Sequence, residues 1–140
     1  MRTILFVCQF NSARSQLAEA IARSMIPEGV RVLSAGLTKT VVNTEVLQAL
    51  KEVGLDASAQ RSKTLEEVAQ EGDIDDVVVL AKEAMDPARL AFPDAHHILC
   101  HLPDPIATKD PERLPVEVRL ARDRIKSFLI SWLPAEAAHP

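Results

Sequence analysis

The chain has 140 residues, of which 47% are hydrophobic and 26% charged, and its formal net charge is -4. Those values describe one globular domain with room for a core, and the mild negative charge argues against nucleic acid as a partner. Its apolar runs are far too short to span a membrane, Met1-Arg2-Thr3 leads straight into a short strand so no leader peptide is expected, and two cysteines build no disulfide framework but suit a reducing cytoplasm.

Residues 4–7, Ile-Leu-Phe-Val, form a short apolar run that reads as a buried strand. From Ser15 onward Leu17, Ala18, Ile21, Ala22 and Met25 recur at spacings of three and four, the pattern of a helix with one apolar face. Between strand and helix lies Cys8-Gln9-Phe10-Asn11-Ser12-Ala13-Arg14, a Cys-x5-Arg loop. The first N–H groups of a helix have no intrahelical partner, and the helix dipole adds positive potential there. A loop wound in front of that end turns further N–H groups inward and cradles a tetrahedral oxyanion. Residues 9–15 are the expected cradle, and Arg14 adds a planar fork of donors suited to two oxygens of phosphate or arsenate. The same field favours the thiolate of Cys8, the nucleophilic form, at the base of the cradle. Ser15 is placed to donate its hydroxyl to that thiolate, and Asn11 tolerates the left-handed backbone a tight loop needs.

Pro27-Glu28-Gly29 reads as a turn and residues 30–35 as a second strand, closed by Ser34-Ala35-Gly36. Asn43 reads as an N-cap. Val46, Leu47, Leu50 and Val53 form the next helical stripe, which Gly54 ends. A short helix is expected over residues 64–69. The continuous apolar run of residues 76–80 is typical of a central parallel strand. A short helical segment over 83–90, with Pro87 in its first part, leads to a fourth strand over 97–100. The loop Leu102-Pro103-Asp104-Pro105 follows, stiffened by its prolines. A last helix over 115–133 carries the stripe Val118, Ala121, Ile125, Phe128, Leu129 and Trp132. Strands alternating with helices predict an α/β fold, a three-layer arrangement with a four-stranded parallel sheet and helices on both faces. Residues 1–134 form the single domain and 135–140 a frayed tail. The first loop then sits at the carboxyl end of the first strand, where open α/β sheets bind ligands.

Cleaving a phosphate ester needs an acid opposite the nucleophile. Asp104, just beyond a strand, is either that acid or a turn-forming aspartate. His96, His97 and His101 crowd around Cys100, but their spacing fits no metal motif, so no metal is expected.

The segment VCQFNSARSQLAEA, with SAG at 34–36, EVGLD at 52–56, LPDP at 102–105 and RLARDRIKSFL near the end, resembles the low-molecular-weight protein tyrosine phosphatases and the arsenate reductases that share their fold. The resemblance covers nearly the whole chain, and the wording NSARSQLAE leans to the reductases. It implies a four-stranded parallel sheet, Cys8 as nucleophile, Asp104 as general acid and close approach of Gly36 to the cradle. Asn11, Glu19 and Ser34 match positions that bind a potassium ion beneath the cradle in some of these reductases. A further carboxylate of that site falls at Lys63, which either replaces the ion with its ammonium or is a surface residue.

The chain also departs from the family. Thioredoxin-linked reductases carry two more cysteines after the third strand; residues 80–87 here hold none, and Cys100 lies in the next strand. Ala13 stands where many of the phosphatases have a second cysteine, and Phe10 where they often have glycine. The chain has no tyrosine, so Phe10 and Phe92 are the candidates for an aromatic wall. Three readings follow: hydrolysis of phosphate monoesters of the phosphotyrosine type through a phosphocysteine, reduction of arsenate with an external thiol or a redoxin partner, and a non-catalytic phosphate-binding module. Neither enzymatic reading requires a bound cofactor. The joint presence of Cys8, Arg14, Ser15 and Asp104 argues against the third.

Overall fold

The apolar run at the start of the chain becomes β1 (Arg2–Cys8), buried continuously from Thr3 to Cys8. A strand reads this way only when both its faces are covered. In the computed structural model, which describes residues 2–137 and, over 134–137, the backbone alone, the elements follow as α1 (Arg14–Met25), β2 (Val30–Gly36), α2 (Thr44–Lys51), α3 (Leu65–Ala69), β3 (Asp76–Val79), α4 (Met85–Ala91), β4 (His96–Leu99) and α5 (Leu114–Ala137). All strand pairs are parallel and the order is β2-β1-β3-β4. The chain leaves β1 for β2 on one side and reaches β3 on the other. The carboxyl end of β1 is therefore the topological switch point of the sheet, where a crevice opens.

Side chains alternate across the sheet with a period of two. Ile4, Phe6, Cys8, Val78 and Leu80 belong to one core, shared with Leu17 and Ile21 of α1, Val46 and Leu50 of α2 and Val118, Ile125 and Leu129 of α5. Leu5, Val7, Val77 and Val79 belong to the other, with Leu65 and Val68 of α3 and Ala88 of α4. This is the three-layer α/β architecture that the strand–helix alternation predicts.

The caps have sequence causes. Asn43 Oδ1 accepts from Glu45 N at 2.8 Å, and Thr64 Oγ1 accepts from Glu67 N at 3.2 Å. Several boundaries differ from the sequence reading. The segment before α4 is a short 3-10 turn, Lys82–Ala84, and Pro87 occupies the third position of α4, where a missing N–H costs nothing. β4 starts one residue earlier than expected and ends before Cys100, whose N–H still bonds Val79 O at 2.8 Å. Val53 is exposed in the turn after α2. The last helix continues past Pro134 to Ala137, so the expected tail is helical over its first residues, and its remainder, 138–140, lies outside the described residues. Phe128 and Trp132 stack on one turn of that helix, with ring centroids 5.8 Å apart. Phe92 is buried in the second core at the end of α4, leading into the amino end of β4. It is therefore no wall of the crevice, which opens at the opposite edge of the sheet.

Gly36 ends β2 where a Cβ would lie 2.6 Å from Asn11 N and 2.8 Å from the Phe10 carbonyl carbon. Backbone, not a flexible side chain, fills that space. Gly36→Ala is expected to cost about 1–3 kcal/mol, the usual penalty of overpacking a rigid site, read as a lower denaturant midpoint at unchanged slope.

Candidate active site

Residues 9–13 join β1 to α1, and Asn11 takes the left-handed conformation, with φ of 48°. The side-chain amide of asparagine makes that region tolerable. The carbonyls of this loop all point outward. Gln9 O accepts from Leu37 N at 2.8 Å and Thr38 N at 3.1 Å, and Phe10 O from Thr40 Oγ1 at 2.9 Å and Ser62 Oγ at 3.3 Å. Asn11 O accepts from Gln16 Nε2 at 3.1 Å, Ser12 O from Asn43 N at 3.0 Å, and Ala13 O from Leu17 N at 2.8 Å. Among the described residues, no N–H of Phe10, Asn11, Ser12 or Ala13 donates to a protein acceptor. A loop whose carbonyls are bound outside and whose N–H groups are unused is a nest for an anion.

Cys8 lies at the floor of this nest, buried, with its Sγ 2.8 Å from Ser15 Oγ. An obligate donor sets the orientation of the Asn11 amide beside it. The peptide N–H of Lys63 can only donate, and it reaches Asn11 Oδ1 at 2.7 Å. Asn11 Nδ2 then faces Ser15 Oγ at 2.7 Å and Ser34 Oγ at 3.0 Å, and donates to both. Ser15 accepts from Asn11 and keeps its own proton available for Cys8, the bond that a thiolate would accept. Ser34 in turn donates to Glu19 Oε1.

Glu19 is buried among cations. Arg23 Nη2 is 2.8 Å from its Oε2 and Lys63 Nζ 3.6 Å from its Oε1. Lys63 is only 6% exposed, and its ammonium also donates to Arg61 O at 2.8 Å. Burial pushes the Lys63 ammonium below its usual range, and the Glu19 carboxylate opposes that shift. The oxygens that matched a potassium site are thus already engaged: Asn11 Oδ1 by a peptide N–H, Ser34 Oγ as a donor, and Glu19 by two cations. This donor set does not fit a bound cation.

Arg14 opens α1 and is only 4% exposed, with Nη1 donating to Leu102 O at 2.8 Å. Leu102 N bonds Leu80 O at 2.9 Å, so the loop bearing Asp104 is tied both to β3 and to the cradle. Asp104 is half-buried and accepts from Ile106 N through Oδ1 at 3.1 Å, a turn that orients its carboxyl group. Phe10 is half-buried on the cradle itself. The histidines take other roles: Lys82 N donates to His101 Nδ1 at 3.0 Å, His97 Nδ1 lies 3.0 Å from Ala95 O, and His96 faces Asp76 at 3.6 Å. Among the described residues no group of three His, Cys, Asp or Glu side chains is placed to hold a metal ion, and no helix is long and apolar enough to cross a membrane.

Cys100 shares a core with Cys8 and follows it along the row that runs through Leu80. Two strand spacings, about 9–10 Å, separate the two backbones, beyond the reach of a disulfide. Burial also pushes the Cys100 thiol above its usual range.

Sequence reasoning missed Gln16, Gln60, Ser62 and Thr40, which hold the cradle from outside. The one signal was polar Gln16 and Glu19 beside Ser15 on a helix that is otherwise apolar at this end. Such a stripe reads as solvated, yet all three are buried.

Asn11 satisfies one peptide N–H and two hydroxyls. Asn11→Ala would leave these without their partner and force alanine to a positive φ. It is expected to lower stability by about 2–4 kcal/mol, measured by chemical unfolding, with a rise in Cys8 alkylation half-time at fixed pH.

The sequence profile of the low molecular weight phosphotyrosine protein phosphatases matches residues 3–137. An arsenate reductase of Staphylococcus xylosus is 33% identical over 128 residues, covering 89% of this chain and 96% of that one. A solved arsenate reductase in its oxidized state superposes with a TM-score of 0.81 at 26% identity, over 96% of this chain and 98% of the other. A tyrosine phosphatase of Erwinia amylovora shares the fold, with a TM-score of 0.79 at 19% identity over 96% and 92% of the two chains. With the profile matched over residues 3–137 and a relative 33% identical over 89% of this chain, the chain belongs to the low-molecular-weight phosphotyrosine protein phosphatase family.

Proposed function

We propose that this protein hydrolyses phosphate monoesters through a phosphocysteine. The observation that carries the reading is the nest with its outward carbonyls above Cys8, whose sulfur lies 2.8 Å from Ser15 Oγ. The unused N–H groups and Arg14 bind the phosphoryl oxygens, and Arg14 moves its donors from Leu102 O to the anion. The Cys8 thiolate attacks phosphorus, forming the S–P bond as the ester O–P bond breaks. Asp104 gives its proton to the leaving oxygen. It then takes a proton from water, which attacks phosphocysteine and releases inorganic phosphate and the thiolate. A reducing cytoplasm suits this nucleophile, since both cysteines are free thiols.

A second reading is favoured by the arsenate reductases among the relatives, at 33% identity. Cys8 displaces water from arsenate, an external thiol attacks Cys8 sulfur, and arsenite leaves with the two electrons. A second external thiol then frees Cys8 as the external disulfide forms. The distance between Cys8 and Cys100 makes a partner of this kind, a small thiol or a redoxin, necessary.

Asp104→Asn separates the readings. Aryl phosphate hydrolysis should fall by about 10²–10⁴-fold, and more for leaving groups of higher pKa, while inorganic phosphate still inhibits. Thiol-dependent arsenite formation should fall far less. The paired assays are p-nitrophenyl phosphate release, and arsenite formation with glutathione or a redoxin. Unchanged hydrolysis in the Asn variant removes Asp104 from the mechanism. A wild type that forms arsenite and releases no nitrophenol settles the choice for the second reading.

Lys63 acts in this proposal as a built-in cation that holds Glu19 and, through Ser34 and Asn11, the floor of the cradle. Turnover is then expected to be equal in potassium and sodium at one ionic strength, and Lys63→Met to lower it. Specific activation of the wild type by potassium counts against that role.

A further inference from the structure

We propose that Gln16 is a positioning residue for the oxyanion cradle, fixing the left-handed turn at Asn11 to the strap formed by residues 60–63; the inference rests on the reading of residues 9–15 as an oxyanion site. Gln16 lies in the first turn of α1 and is 0% exposed. A buried primary amide has to place two donors and an acceptor. Its Nε2 donates to Asn11 O at 3.1 Å and to Arg61 O at 3.0 Å. Its Oε1 accepts from Gln60 Nε2 at 2.7 Å, and the same Gln60 nitrogen also donates to Gln16 O at 3.1 Å. Both acceptors of Nε2 are carbonyls, so the amide has one permitted orientation.

The position of these bonds gives them their effect. Asn11 has φ of 48°, and this reversal is what turns the loop into a nest. Its carbonyl must be held away from the anion, since a carbonyl dipole aimed into the nest would repel a phosphate. Gln16 is the group that holds it. The strap is bonded to the same loop through Ser62 Oγ to Phe10 O at 3.3 Å and Lys63 N to Asn11 Oδ1 at 2.7 Å, and to the end of β2 through Lys63 O, which accepts from Gly36 N at 2.8 Å. Gln16 closes the gap between strap and helix at Arg61. Without it, Asn11 O is buried without a donor, Arg61 O keeps only the Lys63 ammonium, and the peptide plane between Asn11 and Ser12 is free to rotate. That plane carries one of the unused N–H groups.

The geometry distinguishes substitutions that simple packing would not. Gln16→Met keeps volume and apolar contact but removes both donors. Gln16→Glu keeps the acceptor for Gln60 but points carboxylate oxygens at two carbonyls and adds negative charge behind an anion site. Gln60→Ala leaves Gln16 in place but removes the group that orients it, at a position only half-buried.

The test is calorimetric titration of the full chain with inorganic phosphate, alongside the thermal midpoint and kcat and KM for p-nitrophenyl phosphate. Phosphate binding should weaken about tenfold or more in Gln16→Met, further in Gln16→Glu, and about two- to fivefold in Gln60→Ala, from loss of aligned donors. KM should rise with the dissociation constant. A merely structural role predicts a lower midpoint with phosphate affinity intact in the folded protein. A folded Gln16 variant that binds phosphate as the wild type does overturns the inference. Should neither Gln16 variant fold, wild-type affinity in Gln60→Ala overturns it. A wild type that binds no phosphate overturns the oxyanion reading beneath it, a failure distinct from equal affinities across the series.

Discussion

A peptide group cannot point its carbonyl and its N–H the same way, and the site depends on that constraint. Residues 9–13 can aim N–H groups inward only because every carbonyl from Gln9 to Ala13 finds a donor outside. Those donors come from three sources: the segment after β2, the strap at 60–63, and the first turn of α1. Gly36 lets the first come close, because a side chain there would strike Asn11 N. The fold contributes the switch point at the end of β1, but it is this outer ring of donors that converts an ordinary strand-to-helix turn into an anion site.

The polar interior beneath the cradle follows a single direction of donation. It starts at an obligate donor, the Lys63 peptide N–H, passes through Asn11 to two hydroxyls, and ends on Cys8 and Glu19. Flipping the Asn11 amide would set its Nδ2 against the Lys63 N–H, two donors face to face. Buried networks of this kind either satisfy every member or cost the fold heavily. Glu19 is the endpoint of the chain of donors, with Arg23 Nη2 and Lys63 Nζ on its two oxygens, and burial works against the ammonium of Lys63.

Local chemistry was legible in the sequence where one residue type permits only one answer. The left-handed turn at Asn11, the cap at Asn43, the buried run of β1 and the pairing of Ser15 with Cys8 all follow from short-range rules. The alternation of strands and helices carried the architecture. What sequence could not carry is pairing across long separations. Gln16 looks like a surface residue until Arg61 and Gln60 are beside it. Phe92 looked equally suited to either end of the sheet, and only the direction of α4 placed it at the wrong one for a substrate wall. Lys63 matched an alignment position without any hint that its peptide group, and not its ammonium, would hold Asn11. The last helix runs on to Ala137, four residues beyond Leu133, where the sequence pattern has no further large apolar residue to mark the end.

The strap has a temporal meaning as well as a spatial one. Lys63 and Ser62 bond to Asn11 and Phe10 across 52 positions of chain. The loop residues emerge early in synthesis, and α1 and the segment after β2 soon offer donors to their carbonyls, but Ser62 and the Lys63 N–H reach Phe10 O and the Asn11 side chain only when the strap has been made and has folded back. Closing a loop of that length has an entropic cost that local turns do not. The nascent amino-terminal third of the chain can therefore form its first strand and helix while the Asn11 side chain still lacks the Lys63 N–H that orients it. The polar floor beneath the loop is completed late, with the strap, and any anion that the closed arrangement binds would favour that arrangement by mass action.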